Sequence, residues 1–149
     1  MDLFDLKNGT GNISEKGKYP QITATEFNNG HGGFTDNLAG ENLFTIAKDG
    51  KPGVTRWHNY KFGVNCHVVI AKPKIKIISD YCAMYIAAIM SSYLVPRYCY
   101  GRAAGLARLK KQYIPLPITE SGDIDFEYMH ETIKPIVQQK INNLINKFK

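Results

Sequence analysis

The chain has 149 residues, 44% of them apolar and 21% charged, proportions that suit one soluble globular domain with or without an appended helix. Nineteen Lys and Arg against 13 Asp and Glu leave a formal charge of +6, which favours a nucleic acid or an acidic surface over a basic partner. Cys66, Cys82 and Cys99 show no metal-ligand spacing, Met1 is followed by Asp2 and Asp5 rather than by a signal, and the apolar stretch Tyr81–Val95 is too short to span a bilayer. The expectation is a cytoplasmic protein, with the cysteines as small apolar packing groups, no structural zinc and no membrane partner.

In chain order, Leu3–Leu6 reads as a short strand or turn, and the Gly, Asn, Ser and Lys content of Lys7–Lys18 as a loop. Tyr19–Thr25 alternates β-branched residues and predicts a strand, followed by a turn over Asn28–Gly33. Asn42–Ala47 predicts a strand, Asp49-Gly50 a hairpin turn and Val54–Trp57 the returning strand. Cys66–Ala71 is a further β segment.

The pattern changes at Ser79. Cys82, Tyr85, Ile86, Ile89, Met90, Tyr93 and Leu94 follow a helical period up to Pro96, with Ser79 and Asp80 as caps. Arg97–Pro117 carries Arg97, Arg102, Arg108, Lys110 and Lys111 among Tyr98, Tyr100 and Tyr113, with no acidic residue. Its glycines make a continuous helix unfavourable, so the segment reads as a mobile basic loop. Tyr113–Ile118 is extended, and Pro115 and Pro117 place it at a sheet edge. Asp125–Lys149 predicts a helix that Pro135 should kink or split. Its apolar stripe has two readings, packing on its own domain or meeting a partner.

Catalytic chemistry finds little support. GxxxxGK[ST] and GxGxxG are absent, as are methyl-transfer signatures, and His31, His58, His67 and His130 are scattered. No cofactor or metal is expected. Recognition chemistry is better supplied. Asn28 and Asn29 can read adenine, and Arg56, Arg97 or Arg102 can read guanine. Arg108, Lys110, Lys111 and the tyrosine hydroxyls suit phosphates, and Lys61 closes a polar cluster that starts at Arg56. A solvated loop, a plain turn at Asn28–Gly30 and a core anchor at Trp57 are the bland alternatives.

Four short patterns carry a resemblance. They are Tyr19-Pro20-x-Ile22-Thr23, Asn28-Asn29-Gly30 and Asn42-Leu43-Phe44-Thr45-Ile46, then a longer C-terminal one. The last runs Tyr98-x-Tyr100-Gly101-Arg102, Arg108-Leu109-Lys110-Lys111, Ile114-x-Leu116-Pro117 and Gly122-x-Ile124-Asp125-Phe126-x-Tyr128-Met129. Together, over Leu3–Ile136, they resemble the target recognition domain of restriction-modification specificity subunits, of the type I and type IIB/IIG kinds.

The resemblance implies an α+β fold: a curved or barrel-like mixed sheet with a packed helix over 1–122, and a protruding, spacer-like helix over 123–149. It implies a non-catalytic module that reads half of a bipartite double-stranded DNA target with a methyltransferase and nuclease partner. The DNA-binding candidates are Asn28, Asn29, Arg56, Lys61, Arg97, Tyr100, Arg102, Arg108, Lys110 and Lys111. Such subunits carry two of these domains and this chain carries one, so a half-subunit dimerising through Asp125–Lys149, a fragment and a stand-alone domain all stay open. The alternative function is an interaction protein that binds or inhibits a restriction-modification complex through its terminal helix.

Overall fold

The computed structural model describes residues 1–12 and 16–148. Among the described residues seven strands form two sheets. β1 (Phe4–Asn8), β7 (Val68–Pro73), β4 (Leu43–Ala47) and β5 (Thr55–His58) make a four-stranded antiparallel sheet in that order. β3 (His31–Thr35), β2 (Tyr19–Ile22) and β6 (Gly63–Val64) make a smaller one, in which β2 pairs antiparallel with β3 and parallel with β6. Neither sheet closes into a barrel, and the α+β class stands.

Strand alternation sets the layers. In β4 and β7, Phe44, Ile46, Val69 and Ala71 face one way, into a core shared with Cys82, Ile86, Met90 and Leu94 of α1 (Asp80–Leu94). Val68, with Leu43 and Ile70 packed beside it, faces the other way, against Ile22, Phe62 and Val64 of the smaller sheet and its loops. The larger sheet therefore lies between α1 and the smaller sheet.

α1 is fixed at both ends. The Cys82 amide donates to Ser79 Oγ, and the Asp80 carboxylate accepts from Trp57 Nε1 and Asn59 Nδ2, both at 2.8 Å. One turn from its C-terminus, Ser91 Oγ accepts from the Thr55 amide at 2.8 Å and donates to the Thr55 carbonyl at 3.1 Å. Trp57, with its ring centroid 4.7 Å from that of Phe44, is thus the core anchor among its two readings.

α3 (Phe126–Lys147) starts at Asp125, whose side chain accepts from the Tyr128 amide. Met129 is fully buried against α1, while every residue from Gln138 to Phe148 is exposed.

Several expectations change. The loop expected over Lys7–Lys18 begins later, because Lys7 and Asn8 pair with Ile70 and Val69; its residues 13–15 lie outside the described residues. The strand expected over Tyr19–Thr25 stops at Ile22. The turn expected over Asn28–Gly33 is a 3₁₀ turn only to Gly30, and Gly32 and Gly33 belong to β3. β7 starts at Val68 rather than Cys66.

Tyr113–Ile118 joins no ladder and makes one isolated bridge, Ile118 to Ile124. With two prolines in six residues it has too few amide donors to extend a sheet. Pro135 does not split α3, which is helical from Phe126 to Lys147. Cys66 and Cys99 are exposed, so only Cys82 packs as an apolar group.

Candidate nucleic-acid interface

The basic segment begins where Pro96 ends α1 in a 3₁₀ turn, Val95–Arg97. The Arg97 guanidinium donates to the Tyr93 carbonyl and lies 4.4 Å from the centroid of the Tyr93 ring. Tyr98 then turns inward and Tyr100 outward, the latter fully exposed. Between them Cys99 and Arg102 pair across a tight turn.

The segment is not a free arm, contrary to the sequence expectation. Tyr98, Ala104 and Leu109 are buried in the main core, the last within the one-turn helix α2 (Leu106–Leu109). The Ala104 amide donates to the Lys48 carbonyl at 2.8 Å, and the Met1 ammonium to the Gln112 carbonyl at 2.6 Å. Three apolar side chains among the cations supply those anchors, and net charge concealed them.

Burial pushes the Tyr98 phenol up, and the charges of Arg102, Arg108 and Arg97 partly offset this. Three guanidinium charges therefore act on one buried phenol. Arg108 donates to the Ala103 carbonyl at 3.0 Å and shares a hollow with Tyr100, Asp49, Gly50 and Pro52 at the tip of the β4–β5 hairpin. Lys110 is elsewhere: it lines a hollow with Met1, Asp2 and Lys74 at the start of β1, toward the opposite end of the larger sheet. The five cations thus form no single cluster, as the continuous run in sequence had suggested. Among the described residues none of them meets a carboxylate; the ion pairs are Lys51–Glu26, His67–Asp49, Lys74–Asp5 and His130–Glu131.

From the hairpin tip a ridge follows the β5 edge. Lys51 bonds Glu26 at 2.7 Å, which ties the tip to the segment leading into Asn28–Gly30. Arg56 is nearly buried and donates through Nη2 to the Thr25 carbonyl at 2.7 Å. A Cβ on Gly30, whose φ is +84°, would lie 3.1 Å from Arg56 Nη1. Arg56 therefore supports the turn from beneath and does not present a free guanidinium to a base. On a strand, alternate positions face inward, and this one does.

Asn28 and Asn29 sit on the ridge, exposed, with φ of 48° and 53°, a backbone state that Asn tolerates better than most residues. Burial pushes the Tyr60 phenol up, and the neighbouring Asn29 side chain partly offsets this. Tyr60 in turn lies 3.0 Å from Nδ1 of the buried His58, and exposed Lys61 follows it. Burial, reinforced by the Arg56 charge, lowers the His58 pKa to about 4, so the ring is neutral at neutral pH. The contribution of His58 and Tyr60 was not foreseen beyond a general polar cluster.

Arg108 at the hairpin tip and Asn28 and Asn29 beside the segment that Arg56 holds thus lie along β5, whose far end leads to Lys61. From Gly53 to Tyr60 this stretch spans roughly 20–25 Å at ~3.3 Å per residue. That is about six or seven base-pair steps of 3.4 Å. Among the described residues no group of His, Cys, Asp or Glu could hold a metal ion, and no helix is long and apolar enough to cross a membrane.

A family model described as the type I restriction modification DNA specificity domain matches residues 2–147. Of solved structures, the S subunit of a type I restriction-modification system from M. genitalium is similar in fold, with a TM-score of 0.71 and 16% identity. The HsdS subunit from Thermoanaerobacter tengcongensis gives 0.60 and 15%. A chain from a structure concerned with complex assembly and conformational transition of the type I system gives 0.65 and 17%. These matches cover 98%, 98% and 96% of this chain but 39%, 37% and 38% of those chains, so the chain spans about two fifths of their length. No curated protein matches it.

Proposed function

The chain belongs to the type I restriction-modification DNA specificity family, and from that premise we propose that it is a non-catalytic module reading one half-site of a double-stranded DNA target. The observation that carries this reading is the ridge along β5, where Arg108, with no carboxylate partner, lies at one end and two exposed asparagines follow in a supported turn. Cations set the protein on the phosphates, and the carboxamides meet base edges.

In this reading Arg97, Arg102, Arg108, Tyr100 and Lys61 contact the backbone, and Asn28 and Asn29 contact bases. Methylation and cleavage belong to partner subunits in the cytoplasm. Residues 1–122 form the reading domain and 123–149 the spacer-like helix, whose exposed part begins near Pro135. That part also suits pairing with a second copy.

A salt titration of duplex binding tests the proposal. Three arginine–phosphate contacts give a slope of log affinity against log salt of roughly −3. Replacing Arg102 and Arg108 with Ala should reduce that slope by about 2. A slope near zero in the wild-type chain would remove the proposal.

A second reading rests on a different observation. Ile136, Ile141, Leu144, Ile145 and Phe148 are exposed along α3 and suit an interaction protein that binds or inhibits a restriction-modification complex. Copurification with a methyltransferase subunit that depends on residues 136–148, together with absent DNA binding, would favour it.

A further inference from the structure

The turn after β2 carries an apolar ring. Between buried Thr23 and buried Gly30, residues 26–29 are all exposed, and among them Phe27 is 69% exposed and belongs to neither core. The stretch is closed at its base, where the Thr23 amide and hydroxyl both donate to the Gly30 carbonyl, at 2.8 and 3.3 Å. It is bonded internally as well. The Phe27 carbonyl accepts from the Gly30 amide at 2.8 Å, and the Phe27 amide donates to Thr25 Oγ1 at 3.3 Å. Three contacts hold it from outside. Arg56 donates to the Thr25 carbonyl and Lys51 pairs with Glu26, both at 2.7 Å. Gly50 passes so close that a Cβ there would lie 2.7 Å from the Ala24 carbonyl oxygen.

We propose that Phe27 is a specificity-determining residue whose ring packs on the 5-methyl group of a thymine, at or beside the base pair that Asn28 and Asn29 read. The inference rests on the DNA-reading function proposed above.

A mobile loop can fold an apolar side chain back onto its own protein. This turn is bonded on both sides of Phe27, so the ring is held outward. Order before binding also matters, since a loop ordered only by its ligand gives up conformational entropy at every residue. The neighbours of Phe27 define that ligand. Asn28 and Asn29 are exposed carboxamides suited to base edges in the major groove. Adjacent Cα atoms lie about 3.8 Å apart, close to one base-pair step of about 3.4 Å. A ring beside those carboxamides therefore meets base edges too. Thymine alone among the four bases presents an apolar group there, its 5-methyl. Packing the ring on that methyl takes both out of water, and an uncharged ring releases no counterions.

Duplexes selected from a randomised double-stranded library with the full chain supply the target. Each thymine in it is then replaced singly by deoxyuridine, which removes only the methyl. Wild-type affinity should fall about 4-fold at one position, the worth of one methyl taken out of water, and stay level at the others. Phe27→Ala should bind the thymine and deoxyuridine duplexes alike, and Phe27→Leu should keep much of the difference. The salt slope and the melting temperature should be unchanged in both variants, because the ring is exposed and uncharged.

The inference is overturned, and DNA reading stands, if the selected target holds no thymine or if no deoxyuridine substitution weakens wild-type binding. It is overturned as well if the loss at that position persists in Phe27→Ala, since another group then touches the methyl. A wild-type chain that enriches no sequence overturns the proposed function itself, and the inference with it.

Discussion

His58 couples folding to pH through a single imidazole. Folded, burial and the Arg56 charge hold its pKa at about 4, below the ordinary 6.5. Between those values the unfolded chain binds a proton that the folded chain refuses. Stability from this group is therefore complete above pH 6.5 and is lost as pH falls toward 4, by roughly 3 kcal/mol. Urea denaturation at pH 7.5 and 4.5 should show that loss in the wild type and a clearly smaller one in His58→Gln; equal losses in both would refute the assignment. The groups around His58 were individually visible in the sequence, but their connection was not. Thr45, His58 and Tyr60 come from two strands and the loop after the second, and only register brings them together. Arg56 shows the converse: its chemistry suggested a base reader, while the strand's facing placed it beneath the turn.

Among the elements, those with a clear period or a clear stop were readable in advance. α1 combined a helical stripe, a Ser79 cap and Pro96, and Asp49-Gly50 announced the β4–β5 hairpin. β3 was missed because its sequence, HGGFT, is rich in the residues of turns. Gly32 is there for close approach: a Cβ would lie 2.6 Å from Thr23 Oγ1, so the strand has no side chain at that point to display a pattern. The half-buried character of α3 was equally ambiguous, since one stripe served two environments. A mutational contrast follows. Met129→Ala should cost about 2–5 kcal/mol, because its side chain is fully enclosed. Ile141→Ser and Leu144→Ser should stay within about 0.5 kcal/mol in the isolated chain. Urea midpoints for the three variants check this, and equal losses would mean that the distal helix is packed in solution.

For the molecule as a whole, the basic run in sequence pointed to one surface, and folding distributes it. Leu109 enters the core between Arg108 and Lys110, so the cations on either side diverge toward opposite ends of the larger sheet. Lys110→Ala with Lys111→Ala should accordingly reduce the salt slope of duplex binding by less than Arg102→Ala with Arg108→Ala does. Gel-shift titrations of the two double variants decide between a ridge along β5 and a broad contact across the sheet. A larger effect from the lysine pair would move the interface to the start of β1.

Pro135 cannot donate an amide hydrogen to the preceding turn of α3, and beyond it no side chain is enclosed among the described residues except for partial cover of Val137. The consequence is mechanical. Twelve residues at ~1.5 Å each form a lever roughly 18 Å long, with one helix hydrogen bond missing at its root. A swing of about 10° there carries the tip roughly 3 Å, so any body gripping the far end gains play in its placement without disturbing the rest.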